Sequence, residues 1–114
     1  MAVTFINCFE FPVGQEDDFF ALFKRVNAYM RSKPGYLGHK MHRALTDDAS
    51  FRFINVVQWA SAEHCRAAHD EGFRAMASEP DAEAFHFRPG LYEVVHECEV
   101  DVDHTAAASG SLTV

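Results

Sequence analysis

The sequence lacks the short motifs that mark the commonest nucleotide, hydrolase and metal sites. It contains no G-x-G-x-x-G, Walker loop, G-x-S-x-G, H-E-x-x-H or C-x-x-C. Nucleotide-cofactor, serine-hydrolase and zinc-enzyme functions therefore lose their usual support. The histidine pairs do not replace these motifs, because His39 and His42 fall on opposite faces of a strand and His64 and His69 diverge on a helix. We expect no metal site.

Basic residues, long apolar runs and cysteines are also scarce. The formal charge is -7, and no basic stripe exists that could neutralise phosphates, which argues against a nucleic-acid partner. The longest unbroken apolar run, Phe19 to Phe23, is too short for a membrane span or a signal sequence. Three separated cysteines, Cys8, Cys65 and Cys98, fit reduced thiols better than a disulfide framework, so we expect a cytoplasmic protein.

Aromatic residues are abundant instead. Eleven of the 114 residues are Phe, and apolar residues make up 48% of the chain, which is typical of one globular domain with a real core. The phenylalanines could fill that core, which is the commoner use, or line a cavity for a flat apolar ligand.

Hydrophobic periodicity predicts four strands and two helices. Segments that alternate with a period of two are typical of strands, and apolar residues spaced by three and four are typical of helices. The predicted strands are Val3–Phe11, Tyr36–Leu45, Phe51–Trp59 and Leu91–Val100; one helix follows Gln15 and ends before Pro34, and the other follows the capping residue Ser61 and is weakened at Gly72. Glu79 to Gly90, with two prolines, is expected to be a loop whose Phe85 and Phe87 either wall a pocket or pack as an ordinary connector.

The order β-α-β-β-α-β predicts a ferredoxin-like α+β domain over residues 1–100, followed by a disordered tail at 101–114. The first and third strands then lie at the centre of the sheet. Both carry apolar residues on both faces, yet two helices can cover only one face. We therefore expect a homodimer in which the two sheets meet face to face.

Polar groups interrupt one of these apolar faces. Asn7 lies between two phenylalanines on the first strand; Asn55 lies between Phe53 and Val57 on the third, and Trp59 follows on the same face. A buried amide without a hydrogen bond costs about 1 to 3 kcal/mol, so two of them call for partners. The partner is either a ligand or, as is commoner for a single core Asn, local backbone or a trapped water.

Several segments together resemble one known family, the antibiotic biosynthesis monooxygenase-like proteins of the dimeric α+β barrel superfamily. The resemblance covers roughly residues 3 to 100. It rests on Phe5-Ile6-Asn7-Cys8-Phe9-Glu10, Pro34-Gly35-Tyr36, the stretch from Leu45 through Phe51-Arg52-Phe53, and Asn55-Val56-Val57-Gln58-Trp59 leading into Ser61-Ala62-Glu63.

The resemblance implies a cofactor-independent oxygenase that uses O2 to convert an electron-rich phenolic or anthrone-type aromatic into a quinone. Asn7, Asn55 and Trp59 match active-site positions of that group. Some relatives carry a tyrosine where this chain has Cys65, which leaves His69 or His42 as the candidate proton acceptor, each with the alternative of an ordinary partly exposed position. Together with the catalytic candidates, we expect the following residues to contact the substrate: Phe5, Phe9, Phe23, His42, Phe53, Cys65 and Phe73.

Two other functions remain open at this point. Haem-degrading members of the same superfamily share the first-strand asparagine, but near Phe73, where they place a haem-ligating histidine, no ligand is evident in the sequence. A non-catalytic ligand-binding or dimerisation module is the third possibility, because a fold alone proves no function.

Overall fold

One antiparallel sheet of four strands carries three α-helices on one of its faces. The computed structural model describes residues 1–100, so the predicted tail at 101–114 lies outside the described residues. The elements are β1 (Val3–Glu10), α1 (Glu16–Met30), β2 (Tyr36–Arg43), β3 (Phe53–Trp59), α2 (Ala62–Ala68), α3 (Glu71–Ala77), a short 3-10 helix (Pro80–Ala82) and β4 (His86–Tyr92).

The strand order β2-β3-β1-β4 confirms the predicted ferredoxin-like topology. β1 and β3 occupy the centre and pair antiparallel, with Asn7 directly opposite Asn55 and Phe5 directly opposite Val57. Because residues opposite each other point to the same side of a sheet, the two asparagines share a face, as the alternation along each strand predicts.

β2 contains a bulge that its sequence pattern conceals. Tyr36 pairs with Trp59, and Gly38 pairs with Gln58, the residue before Trp59 in β3. β2 therefore holds one extra residue, Leu37. Gly38 has φ +147°, a conformation that glycine adopts without strain. After the bulge, His39 and Met41 share the helix-covered face with Tyr36, whereas strict alternation from Tyr36 would have turned them away.

The last strand begins five residues earlier than predicted and ends at Tyr92 rather than Val100. The predicted loop at Glu79 to Gly90 is correspondingly wrong in its second half, where Pro89 pairs with Asn7 of β1. Proline lacks an N–H donor, but β4 is an edge strand, and an edge strand can leave one side of its backbone unpaired. A proline therefore did not exclude a strand here.

The predicted second helix is two helices, α2 and α3, with a break at His69 and Asp70. The Asp70 side chain accepts a hydrogen bond from Phe73 N, which caps α3. The same carboxylate accepts hydrogen bonds from Tyr29 Oη at 2.7 Å and from Lys33 Nζ at 2.8 Å. These bonds tie α1 to the start of α3 and hold the pKa of Asp70 well below its usual range, chiefly because of Lys33.

Two clusters of buried side chains lie between the sheet and the helices. One contains Met30, Val57, Trp59, Cys65 and Ala68, and the other contains Phe11, Phe19, Phe53 and Phe85. Within residues 1–100, the helices pack on this side of the sheet, and Ile6, Ile54 and Val56 on the other side remain half-buried. No helix in that range is long and apolar enough to cross a membrane.

Candidate active site

A cavity separates the two core clusters, between the sheet and the α1 and α3 helices. Its volume is about 120 Å³, and it opens in part to solvent. The wall is mostly apolar, and none of its residues is Asp, Glu, Lys or Arg. Such a space suits a flat apolar ligand oriented by a few polar groups.

The three residues predicted from β1 and β3 all line this cavity: Asn7, Asn55 and Trp59. Their atoms Asn7 Oδ1, Asn55 Oδ1 and Trp59 Nε1 are buried and have no hydrogen-bond partner, and no other side-chain atom in the described part of the chain is in this condition. Trp59 is 1% exposed and Asn55 is 9% exposed. Buried polar groups are nearly always paired, so three unpaired ones in a single cavity indicate a place for a ligand.

His69 enters the same cavity because α2 ends at Ala68 and the chain turns before α3. Its ring lies 6.4 Å from the Trp59 ring, and it makes edge contacts with Phe5 and Phe73, each at 4.7 Å between centroids. His69 Nδ1 lies 2.7 Å from Cys65 O. Since a carbonyl can only accept, Nδ1 carries the hydrogen and Nε2 is left as the acceptor nitrogen of the ring.

The structure brings most, but not all, of the predicted substrate-contacting residues to the cavity. Phe5, Phe9, Phe23 and Phe73 line it. Phe53 does not, because its ring is packed among the other phenylalanines of its cluster, 5.1 Å from Phe19.

Cys65 and His42, which were also expected to contact the substrate, do not line the cavity. Cys65 is buried behind His69, with its Sγ 3.9 Å from His69 Nδ1, and burial raises the pKa of its thiol. His42 lies on the opposite face of the sheet, where it is exposed and its Nδ1 is 3.3 Å from Ile54 O. The bulge in β2 determines this orientation, so His42 is not in a position to act on a ligand in the cavity.

A polar group at the β2 side of the cavity, centred on the Tyr36 hydroxyl, was not predicted from the sequence. Tyr36 and Asn27 line the cavity, and Asn27 Nδ2 donates to Tyr36 Oη at 3.0 Å. Tyr36 Oη lies 2.6 Å from His39 Nδ1. Burial lowers the pKa of His39, which favours its neutral form. A glycine inside a predicted strand is the signal that could have revealed the bulge and hence this group.

The remaining wall residues come from α1, from β3, and from the chain between α3 and β4 inclusive. They are Phe19, Leu22, Val26, Met30, Val57, Met76, Ala77, Ala82, Phe85 and Phe87. Phe85 and Phe87 therefore form part of the wall, one of the two roles considered for them from the sequence. No group of three or more His, Cys, Asp or Glu suitable for a metal ion occurs within residues 1–100.

Comparison with known proteins gives a family match and several solved structures. The family model described as antibiotic biosynthesis monooxygenase matches residues 2–86, which is most of the chain. The comparison with curated proteins gives no match.

Three of the similar solved structures are informative. A presumed monooxygenase from Shewanella loihica PV-4 is 26% identical, with a TM-score of 0.75, covering 84% of this chain and 96% of that one. SnoaB, a cofactor-independent oxygenase from Streptomyces nogalater, is 26% identical, with a TM-score of 0.70 and coverages of 84% and 95%. MhuD, a haem degrader from Mycobacterium tuberculosis, is 24% identical, with a TM-score of 0.65 and coverages of 85% and 99%, and shows likeness of fold alone.

Proposed function

The chain belongs to the antibiotic biosynthesis monooxygenase family, and from this premise we propose that it is a cofactor-independent monooxygenase that oxidises an electron-rich phenolic or anthrone-type aromatic with O2. The observation that carries the proposal is the set of three unpaired polar atoms, on Asn7, Asn55 and Trp59, in one cavity whose wall is mostly apolar. SnoaB, a similar protein, is a cofactor-independent oxygenase.

The unpaired atoms suggest what the ligand must offer. The two amide oxygens accept hydrogen bonds and Trp59 Nε1 donates one, so a matching ligand presents hydroxyl donors on one side and a carbonyl or oxyanion on the other. Asn7 and Asn55 stand opposite each other on adjacent strands, which places two of the three groups side by side. A hydroxylated anthrone has this combination of groups on a flat ring system that the phenylalanine walls can hold.

The proposed reaction needs no bound metal or organic cofactor. Loss of a proton from the CH2 of an anthrone leaves a stabilised carbanion, which gives one electron to O2, and the two radicals combine through a new C–O bond. The resulting peroxide takes up a proton; the second C–H proton then leaves as the O–O bond breaks, giving the C=O of a quinone and one water. All atoms of O2 are thus accounted for.

The protein's part in this reaction is to hold the reactants and stabilise the developing negative charge. A donor aimed at an oxyanion in a dry site is worth on the order of 3 kcal/mol in other enzymes, and Trp59 Nε1–H is such a donor. An asparagine amide that turns over presents its N–H groups to the same charge. His69 lines the cavity, and its Nε2 is the acceptor that we assign to the C–H proton.

Turnover without any added cofactor tests the proposal. The probe is 1,8-dihydroxyanthrone in air with a metal chelator present, followed by O2 consumption and by quinone absorbance. We expect turnover by the natural sequence and a loss of about 10²- to 10³-fold in kcat for Trp59→Phe. Phenylalanine keeps an aromatic ring for the edge contact with Tyr36, 5.3 Å away, while removing the N–H.

His42→Gln is the matched control, because His42 lies on the opposite face of the sheet and the change should leave kcat unaltered. Failure to oxidise any anthrone or phenol would contradict the proposal. If, in addition, Asn55→Ala and Trp59→Phe changed stability but not ligand binding, the protein would be a non-catalytic binding module.

Haem degradation is a second candidate function, and the position of His69 favours it. His69 lines the cavity, and because its Nδ1 is fixed by the Cys65 carbonyl its Nε2 is free to bind a metal, which is the arrangement of a haem ligand. No haem ligand near Phe73 was predicted from the sequence, but the break between α2 and α3 brings His69 beside that residue. No Lys or Arg lines the cavity, so the haem propionates would have to lie at its opening.

Haem titration separates the two candidates. Bound haem would supply an iron centre that activates O2, and His69 would hold it. A shift of the Soret band that is lost in His69→Ala, together with conversion to an open tetrapyrrole, would displace the quinone-forming function. An unshifted Soret band would remove the haem candidate.

We also propose that the protein is a homodimer located in the cytoplasm. Ile6, Ile54 and Val56 give the open face of the sheet an apolar centre, and polar residues such as Glu10 and Arg88 flank it. A second copy of the same face would bury that centre. The free cysteines suit a reducing compartment. A monomer by light scattering at micromolar concentration would contradict the dimer.

A further inference from the structure

A phenol and an imidazole share a hydrogen bond at the β2 side of the cavity, on the other side of Trp59 from His69. Tyr36 Oη and His39 Nδ1 are 2.6 Å apart, and the Tyr36 ring meets the Trp59 ring edge-on at 5.3 Å. Tyr36 lines the cavity and His39 lies behind it. The pair therefore connects the cavity to a partly exposed side chain.

Hydrogen-bonding rules fix the direction of the proton in this pair. Asn27 Nδ2 lies 3.0 Å from Tyr36 Oη and 3.4 Å from His39 Nδ1. An amide NH2 can only donate, so we assign Nδ1 of His39 as the acceptor nitrogen, whose one lone pair takes the hydroxyl proton of Tyr36 at 2.6 Å. The tyrosine oxygen accepts from Asn27 and keeps one lone pair free. That lone pair is available to a hydroxyl group of a ligand.

We propose that Tyr36 accepts the proton of a substrate hydroxyl while its own hydroxyl proton passes to His39 Nδ1. One substrate O–H bond breaks and one Tyr36 O–H bond is renewed; the products are a substrate phenolate and a protonated His39, and no electrons are exchanged. The inference rests on the proposed function and deepens it, since it requires a phenolic hydroxyl at the Tyr36 end of the substrate. A phenolate is a better electron donor to O2 than the neutral phenol.

The surroundings of His39 suit a group that stores a proton only briefly. Burial lowers its pKa, and the positive charge of Arg31, just after the end of α1, acts in the same direction. Its cross-strand neighbour on β3 is the apolar Val57, and its ring meets Phe23 edge-on at 5.4 Å. A neutral His39 can accept the proton, and the protonated form readily returns it.

Ionisation of a bound dye tests this step separately from turnover. The probe is 1,8-dihydroxyanthraquinone, which is already oxidised and whose visible absorbance changes when a hydroxyl ionises. In the natural sequence we expect the bound dye to ionise at a pH at least about one unit lower than in Tyr36→Phe, which is a tenfold change in equilibrium. In His39→Gln the pH at which the bound dye ionises should rise by a similar amount. In the double variant it should rise no further than in either single variant, because the two residues act as a unit.

The control and the opposite outcomes are equally defined. His42→Gln, on the same strand but on the other face, should leave the dye's midpoint unchanged. An unchanged midpoint pH of dye ionisation in Tyr36→Phe, or shifts of the two single variants that add in the double variant, would overturn the proposed proton transfer through Tyr36 to His39. If the anthrone is not oxidised but the dye midpoint moves as expected, the oxidation chemistry fails while the proton step stands. Both Tyr36→Phe and His39→Gln keep the size of the side chain, so the fold is expected to survive.

Discussion

Replacing Asn55 by leucine should make the protein more stable and much less active. The side chain of Asn55 is 9% exposed and its Oδ1 has no partner. An unsatisfied buried group of this kind costs about 1 to 3 kcal/mol, and leucine removes that cost while adding apolar surface beside a cavity that has room for it. For a domain of this size each kcal/mol raises Tm by about 4 to 8 °C.

The measurement is thermal and urea unfolding at one fixed protein concentration, with anthrone turnover measured on the same samples. We expect Tm to rise by at least about 4 °C and kcat to fall about 10²- to 10³-fold. Asn27→Leu is the matched control, because the amide of Asn27 is paired with Tyr36 Oη and the same change should destabilise the protein. Equal destabilisation by both changes would refute the reasoning, since it would mean that Asn55 is satisfied in the free protein.

Three further predictions concern the frame of the site. The pKa of Asp70 is lowered in the folded protein, so its bond to Lys33 stabilises the fold fully above pH 3.8, the pKa in the unfolded chain, and less as the pH falls below it. In Asp70→Asn the free energy of unfolding should therefore decrease less steeply at acid pH. Gly38→Ala should cost about 1 to 3 kcal/mol in urea unfolding because of φ +147°, and unchanged stability would contradict this. Gly72→Ala should lower Tm although alanine favours helices, because a Cβ would collide with Tyr29 Oη; a higher Tm would contradict it.

The central strands and the fold could be predicted because their pattern is unambiguous. β1 and β3 alternate without interruption, so parity places Asn55 and Trp59 on one face of β3, and the pairing of Asn7 with Asn55 puts Asn7 on that face too. β4 could not be bounded correctly, since Pro89 is a typical loop residue and only the edge position of the strand makes it acceptable. Which strand lies at an edge depends on the assembled sheet and not on the local sequence.

The rest of the site depends on two local irregularities. The bulge at Leu37 and Gly38 reverses the parity of β2, so that His39, and not the predicted candidate His42, lies on the helix-covered face. The break after α2 turns His69 into the cavity, and it depends on a carboxylate cap and a contact with α1 that is distant in the sequence. Both irregularities involve only one or two residues, and hydrophobic periodicity over a whole strand or helix does not reveal them.

The burial of Trp59 has a practical consequence for studying the protein in solution. It is the sole tryptophan of the chain, and it is 1% exposed, so all indole fluorescence originates in the wall of the cavity. A ligand that accepts a hydrogen bond from Nε1 should shift the emission to longer wavelength, and protonation of the nearby His69 ring, 6.4 Å away, should quench it. The natural sequence thus contains its own optical reporter of occupancy and of proton movement, without any label.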